Sequence, residues 1–207
     1  MVGLEGWALS PPQVEPATPI LLTPSRPNNF EPAVHSPLGD DGGQRFKRGN
    51  IIHALLQTLP HLDDISRQKF ARRFLALATH NLSQAVQVEI LHETLAVLNH
   101  PELQNLFGPS SRAEVPLIGE INGQIISAQI DRLVIEDDRI IIVDYKTNRL
   151  PPGDASEVPE LYLHQMANYK EALQHIYHGH TVECFLLWTV GPNLIRLEEE
   201  VLEAYAP

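Results

Sequence analysis

Cysteine is nearly absent from this 207-residue chain, where Cys184 stands alone. A single thiol excludes an intrachain disulfide. It also excludes a four-cysteine zinc site or iron–sulfur cluster built from this chain alone. Cys184 lies in the apolar run Cys184-Phe185-Leu186-Leu187-Trp188, where a buried core position is expected. Long hydrophobic runs are missing too. None approaches the ~20 residues of a membrane span, and the N-terminus lacks the basic-then-apolar order of a signal peptide. By elimination the expected compartment is the cytoplasm, with no membrane partner. Positive charge is scarce: 15 Lys and Arg against 26 Asp and Glu leave a net charge of −11. Phosphate neutralisation by Lys and Arg dominates nucleic-acid affinity, so this balance argues against a free-standing tight binder. It does not exclude chemistry on nucleic acid, because a metal site is built from acids and a tethered partner can deliver the strand. No G-x-x-x-x-G-K-[ST] segment occurs, so ATP is not bound by that motif.

What is present suits one domain. Hydrophobic residues make up 43% of the chain, ordinary for a globular protein, and the length allows a proper core. Residues 1 to about 44 carry prolines at 11, 12, 16, 19, 24, 27, 32 and 37 with no helical or strand period, then Gly39-Asp40-Asp41-Gly42-Gly43. This composition predicts an extended linker or arm. Helical patterning begins at Phe46, with Ile52, Leu55, Leu56 and Leu59 on one side and Pro60 as a stop. Two more helices are expected at about 63–79 and 83–98. A three-strand meander follows at about 112–145, then a Pro/Gly-containing loop to 159. A helix from Glu160 to Tyr177 and strands at Thr181–Thr189 and Leu194–Leu197 complete the layout. Helices against a mixed central sheet, an α/β architecture, is the expected result.

The meander carries the chemistry. Arg139 to Asp144 reads R-I-I-I-V-D, a short β-branched run expected as a buried strand. Residues two apart on a strand share a face, so Asp144 and Lys146 project together. Glu136-Asp137-Asp138-Arg139 is a natural tight turn. If it closes symmetrically, paired residue numbers total 275 and Asp131 falls opposite Asp144. Asn122-Gly123 is a strong type I′ hairpin signal, and its register places Glu114 opposite Asp131. Carboxylates directly opposite on adjacent strands have Cβ atoms ~5 Å apart and repel. A hard divalent cation is the obvious compensation. The spacing therefore predicts a metal site with a lysine beside it. Basic residues cluster locally at Arg45, Lys47 and Arg48 and at Lys146 and Arg149, as solvated surface or as a binding patch.

The order Asp131…Asp144-Tyr145-Lys146, followed by a helix with Gln165-Met166-Ala167-Asn168-Tyr169 and preceded by Gly49-Asn50-Ile51-Ile52-His53, resembles the PD-(D/E)xK nuclease superfamily. More narrowly it is similar to the RecB-like branch. The segments Ile130-Asp131-Arg132-Leu133 and Val143-Asp144-Tyr145-Lys146-Thr147-Asn148-Arg149 look like the nuclease domains of the AddA-type helicase–nucleases of double-strand-break repair. The resemblance covers about 45–205, so residues 45–207 form the expected nuclease domain, with 1–44 similar to a tether. It implies a restriction-endonuclease-like core, Mg²⁺ (or Mn²⁺) as cofactor and DNA as substrate. It also implies two partners, a helicase portion and an AddB-like subunit. The cluster-holding cysteines of AddB-like nucleases are missing, so no iron–sulfur cluster is expected.

The resemblance also implies roles. Asp131, Asp144 and Lys146 would be catalytic. Asp131, Asp144, the Tyr145 carbonyl and His53 would hold the metal. Lys146 would orient or activate water and stabilise charge on the phosphate; the alternative is a lysine merely paired to Asp144 or Asp131. Glu114 would be a metal ligand or a residue behind the ligands. Gln165 and Tyr169, four apart on one helix face, would hydrogen-bond the active site or the DNA backbone, with helix–sheet packing as the alternative. The implied activity is exonucleolytic hydrolysis of phosphodiester bonds in recombinational repair. The reading set against it is a non-catalytic docking domain of the same fold. A metal-dependent phosphatase fits the carboxylates but neither the lysine nor the meander.

Overall fold

Helix α1 (Gln44–Thr58) buries Ile51, Ile52, Leu55 and Leu56, with Leu59 just beyond it, which is the 3–4 spacing that puts apolar side chains on one stripe. Pro60 enters a short 3-10 turn rather than continuing the helix. Helix α2 (Asp64–Leu75) starts where Asp63 accepts a hydrogen bond from the Ser66 amide at 3.0 Å. It ends four residues short of the expected span, and Ala78–His80 forms a separate 3-10 turn with Asn81 in the left-handed region. Helix α3 (Gln84–Asn99) is capped in the same way by Ser83. The computed structural model describes residues 20–22 and 44–206.

The strands are β1 (Ile20–Leu22), β2 (Ser111–Ile121), β3 (Gln124–Ile135), β4 (Arg139–Lys146), β5 (Thr181–Trp188) and β6 (Asn193–Leu197). Helix α4 (Glu160–Ile176) connects β4 to β5 as the crossover between parallel strands, and α5 (Glu199–Glu203) follows β6. Strands β2 to β6 form a mixed sheet in sequence order, with β4 and β5 parallel and the other neighbours antiparallel. The three-residue β1 adds parallel to Gln124–Ile126. The linker expected over residues 1 to about 44 lies, apart from Ile20–Leu22 and Gln44, outside the described residues.

Two cores flank the sheet. Leu117, Ile126, Leu133 and Ile142 pack with Leu163, Met166 and Leu173 of α4. Val134, Ile141, Val143 and Tyr145 pack with α1 and α3. Each fully buried Leu or Ile contributes about 1.5–3 kcal/mol, so the helices are held where their apolar stripes meet the sheet. Among the described residues no helix is long and apolar enough to cross a membrane.

Both turn-derived registers are observed. The β3–β4 ladder runs from Ile135↔Ile140 to Arg132↔Val143, and the β2–β3 ladder from Ile121↔Gln124 to Ser111↔Val134. Asp131 is missing from both ladders. On β3, Ile126 and Ile130 face α4, but so does Leu133, three residues on. A strand that keeps its period of two cannot do that. The pleat slips by one residue at Asp131-Arg132, and Arg132 turns to the other side, donating to the Leu56 carbonyl of α1 at 2.6 Å. Strand β2 slips with it: Val115, Leu117 and Ile121 face α4, whereas Ser111 accepts from Arg132 on the opposite side. The residue between, Glu114, has φ +53°, in the left-handed region that a glutamate rarely occupies. The paired slip preserves register while it ejects two acids from the ladders.

Candidate functional site

The slip puts Asp131 where α1 can reach it. His53 Nδ1 lies 3.2 Å from Asp131 Oδ1, and the other carboxylate oxygen accepts the Tyr145 amide at 2.7 Å. That amide would otherwise belong to the β3–β4 ladder, so Asp131 satisfies the strand it displaces. Glu114, opposite Asp131, is held by Gln129 Nε2 at 2.6 Å. Ligand atoms of His53, Glu114 and Asp131 all lie within 4.8 Å of one another. The His53 ring meets the Tyr145 ring edge-on, with centroids 5.5 Å apart, and the Tyr145 hydroxyl accepts from Arg132 Nε at 2.9 Å. Gly49 lets α1 come this close: a Cβ there would sit 3.0 Å from Thr147 Oγ1. One turn after that glycine, His53 is on the same helix face.

The second group forms on the α4 side. Lys146 Nζ lies 2.7 Å from Asp144 Oδ2, 3.0 Å from Gln165 Oε1 and 3.7 Å from the centre of the Tyr162 ring. Gln165 Nε2 donates to Asp144 Oδ1 at 2.8 Å and to the Tyr169 hydroxyl at 2.9 Å, and that hydroxyl donates to the Gln129 carbonyl at 3.2 Å. Asp144 is buried and Lys146 nearly so. The expected row of three acids is therefore two adjoining groups, His53–Glu114–Asp131 and Asp144–Lys146–Gln165–Tyr169. They meet at the peptide joining Asp144 to Tyr145. Gln165 and Tyr169 reach the site directly as well as packing the helix on the sheet. For Tyr145 the placed groups are its amide, donating to Asp131, and its ring.

Sequence reasoning missed Tyr162, Gln129, Glu93 and Thr189. Tyr162 had a signal, since 162, 165 and 169 follow the helical stripe of the glutamine–tyrosine motif. Arg48, expected within a basic cluster as solvated surface or binding patch, instead has a side chain only 12% exposed and paired to Glu93 and Glu89. Arg149, exposed, pairs with Glu89 at 2.8 Å.

Crowded acids change the proton balance. Burial pulls the His53 imidazole down, but its hydrogen bond to Asp131 and the charges of Asp131, Asp144 and Glu114 outweigh this and hold it above its ordinary value. Burial pushes the Glu114 carboxyl up, and Asp131 adds to it. Burial also raises Asp144, against the pull of Lys146. All three shifts have one sign: each folded-state value is raised, so each group contributes stability below its ordinary value and loses it as pH rises through the folded value. Those ordinary values are 3.8 for Asp144, 4.5 for Glu114 and 6.5 for His53. The cation-free protein is expected to lose thermal stability as pH rises from the His53 range upward, with His53→Gln flattening that part of the curve. Unfolding midpoints in EDTA across the range check this, and a midpoint that climbs with pH there contradicts it.

The donor set suits a hard divalent cation. One imidazole and two carboxylates converge, a third carboxylate is adjacent, and mutual repulsion is what a bound charge would relieve.

A family model described as the PD-(D/E)XK nuclease superfamily matches residues 32–203 of this chain. In Streptococcus sanguinis, the A subunit of an ATP-dependent helicase/nuclease is 30% identical over 155 residues, 70% of this chain and 12% of the relative. Its counterpart in Streptococcus mutans is 27% identical over 159 residues, 72% of this chain and 13% of the relative. The exonuclease/helicase subunit RexA of Lactococcus lactis is 38% identical over 76 residues, 36% of this chain and 6% of the relative. The chain thus spans only a small part of the length of these curated relatives.

Proposed function

The chain belongs to the PD-(D/E)XK nuclease superfamily, and on that premise we propose that it is a divalent-cation-dependent DNA exonuclease domain of a helicase–nuclease that processes double-strand breaks. The observation that carries this reading is the convergence of His53, Glu114 and Asp131 beside the Asp144–Lys146–Gln165 group, where β3 and β4 part. His53, Asp131, Asp144 and the Tyr145 carbonyl would hold Mg²⁺ or Mn²⁺, with Glu114 as a further ligand or directly behind them. The cation, when bound, supplies Lewis acidity toward the phosphate. Lys146 stabilises negative charge developing on the phosphoryl oxygens and orients the attacking water. Gln165 holds Lys146 and Asp144 in fixed relation, and Tyr169 holds Gln165. Two partners would deliver DNA to a chain of net charge −11: a helicase portion of the same polypeptide, and an AddB-like subunit.

The test is incubation with linear and circular single-stranded DNA in Mg²⁺ or EDTA. An exonuclease degrades the linear strand, spares the circle and stops in EDTA. Cation binding without cleavage of either substrate would favour the docking-domain reading.

A further inference from the structure

Lys146 is the last residue of β4, where the ladder to β5 ends at Lys146↔Trp188. A strand end frays unless something beyond the last rung holds it. Here the next backbone groups are held from two sides. The Thr189 amide donates to the Lys146 carbonyl at 3.0 Å. Arg48 Nη1 donates to the Thr147 carbonyl at 3.3 Å. Glu93 of α3 ties the two donors together: it accepts the Thr189 hydroxyl on one oxygen and Arg48 Nη2 on the other. Thr189 is fully buried, and the Glu93 and Arg48 side chains are 6% and 12% exposed. A buried ion pair of this kind adds little net stability over an apolar replacement, so core packing alone does not account for it.

Position does. Arg48 directly precedes Gly49, whose bare backbone lies against Thr147 in the same stretch. The helix that presents His53 to Asp131 is thus indexed, through Arg48 and Glu93, to the strand end that presents Lys146. We infer that Arg48, Glu93 and Thr189 form a positioning strut that sets Lys146 relative to the His53–Asp131 group. None of the three touches the reacting atoms; they act through the backbone of residues 146 and 147. Function needs side chains held within about 0.5 Å of their productive geometry, and a frayed strand end does not hold that tolerance. This inference rests on the nuclease reading only for its consequence on cleavage.

The test pairs cleavage kinetics with the ¹⁵Nζ signal of Lys146, resolvable because the lysines are only Lys47, Lys69, Lys146 and Lys170. Thr189→Val keeps the side-chain volume and removes the hydroxyl. Glu93→Gln keeps the acceptor for Thr189 and removes the nearer and more buried of the two charges that hold Arg48, the other being Glu89 at 3.3 Å. In both, the Lys146 signal is expected to move toward that of an exposed lysine. kcat should fall by about 10- to 100-fold, the range seen when groups supporting a site are removed, while KM for DNA stays within about twofold. Thr189→Ser should reverse both changes. An unmoved Lys146 signal in either folded variant overturns the strut. So does unfolding of both conservative variants, which would make the network structural. If the signal moves but Lys146→Ala cleaves at the wild-type rate, the strut stands and the assignment of Lys146 to the chemistry fails.

Discussion

Asp131→Ala is expected to abolish Mg²⁺-dependent DNA cleavage, by about a thousandfold or more, together with measurable cation binding. Asp131 is the one acid that both neighbouring ladders omit and that faces His53 and Glu114 at once. Lewis-acid stabilisation of the transition state amounts to several kcal/mol, and each 1.36 kcal/mol is about tenfold in rate, so losing it gives the stated scale. The same change orphans the Tyr145 amide, which Asp131 accepts at 2.7 Å. An unsatisfied buried donor costs about 1–3 kcal/mol, so the thermal midpoint should fall as well. Asp131→Asn separates the two effects, because its amide oxygen can still accept from Tyr145 while the anionic ligand is gone. The expected pattern is near-wild-type stability for Asn with neither cation binding nor cleavage. Calorimetric titration with Mn²⁺ beside single-turnover cleavage reads both, and retained cleavage in the Asn variant would remove Asp131 from the proposed site.

Lys146→Ala is expected to do the opposite to the cation. In the folded protein the ammonium sits 2.7 Å from Asp144 and competes for a carboxylate that the cation also needs. Without it, Mn²⁺ affinity should hold or rise, while cleavage falls by about 10²–10³, the loss typical of one donor aimed at developing negative charge. Removing one partner of a buried pair can cost about 3–5 kcal/mol. The penalty here should be smaller, because burial already pushes the Asp144 carboxyl toward its neutral form. Falling cation affinity in Lys146→Ala would show that the lysine supports the metal group instead of the phosphate. Unchanged cleavage would show that it serves only to neutralise Asp144.

Strand pairing alone predicts a repulsive row of Glu114, Asp131 and Asp144, and the way the fold resolves it explains the site. The repulsion is divided. Asp144 is neutralised by Lys146 and Gln165 on the α4 side, whereas Asp131 turns toward α1 and takes a hydrogen bond from Tyr145. Of the three acids, Glu114 alone sits in the left-handed region.

Local signals in the sequence determined the registers, because Asn122-Gly123 and the Glu136–Arg139 turn each act over a few residues and set every pairing that follows. They likewise determined the side-by-side projection of Asp144 and Lys146, the helix stripes and the placing of Gln165 four residues before Tyr169. The direction in which Asp131 points was not legible there. Its slip depends on Arg132 reaching the Leu56 carbonyl and on His53 descending from a helix some eighty residues earlier in the chain. The Arg48–Glu93–Thr189 network was hidden for the same reason: its members lie on α1, on α3 and just past β5, and no local pattern links them. Pairing register is a near-neighbour property of a chain. Which face an acid finally presents is settled only when distant helices offer it a partner.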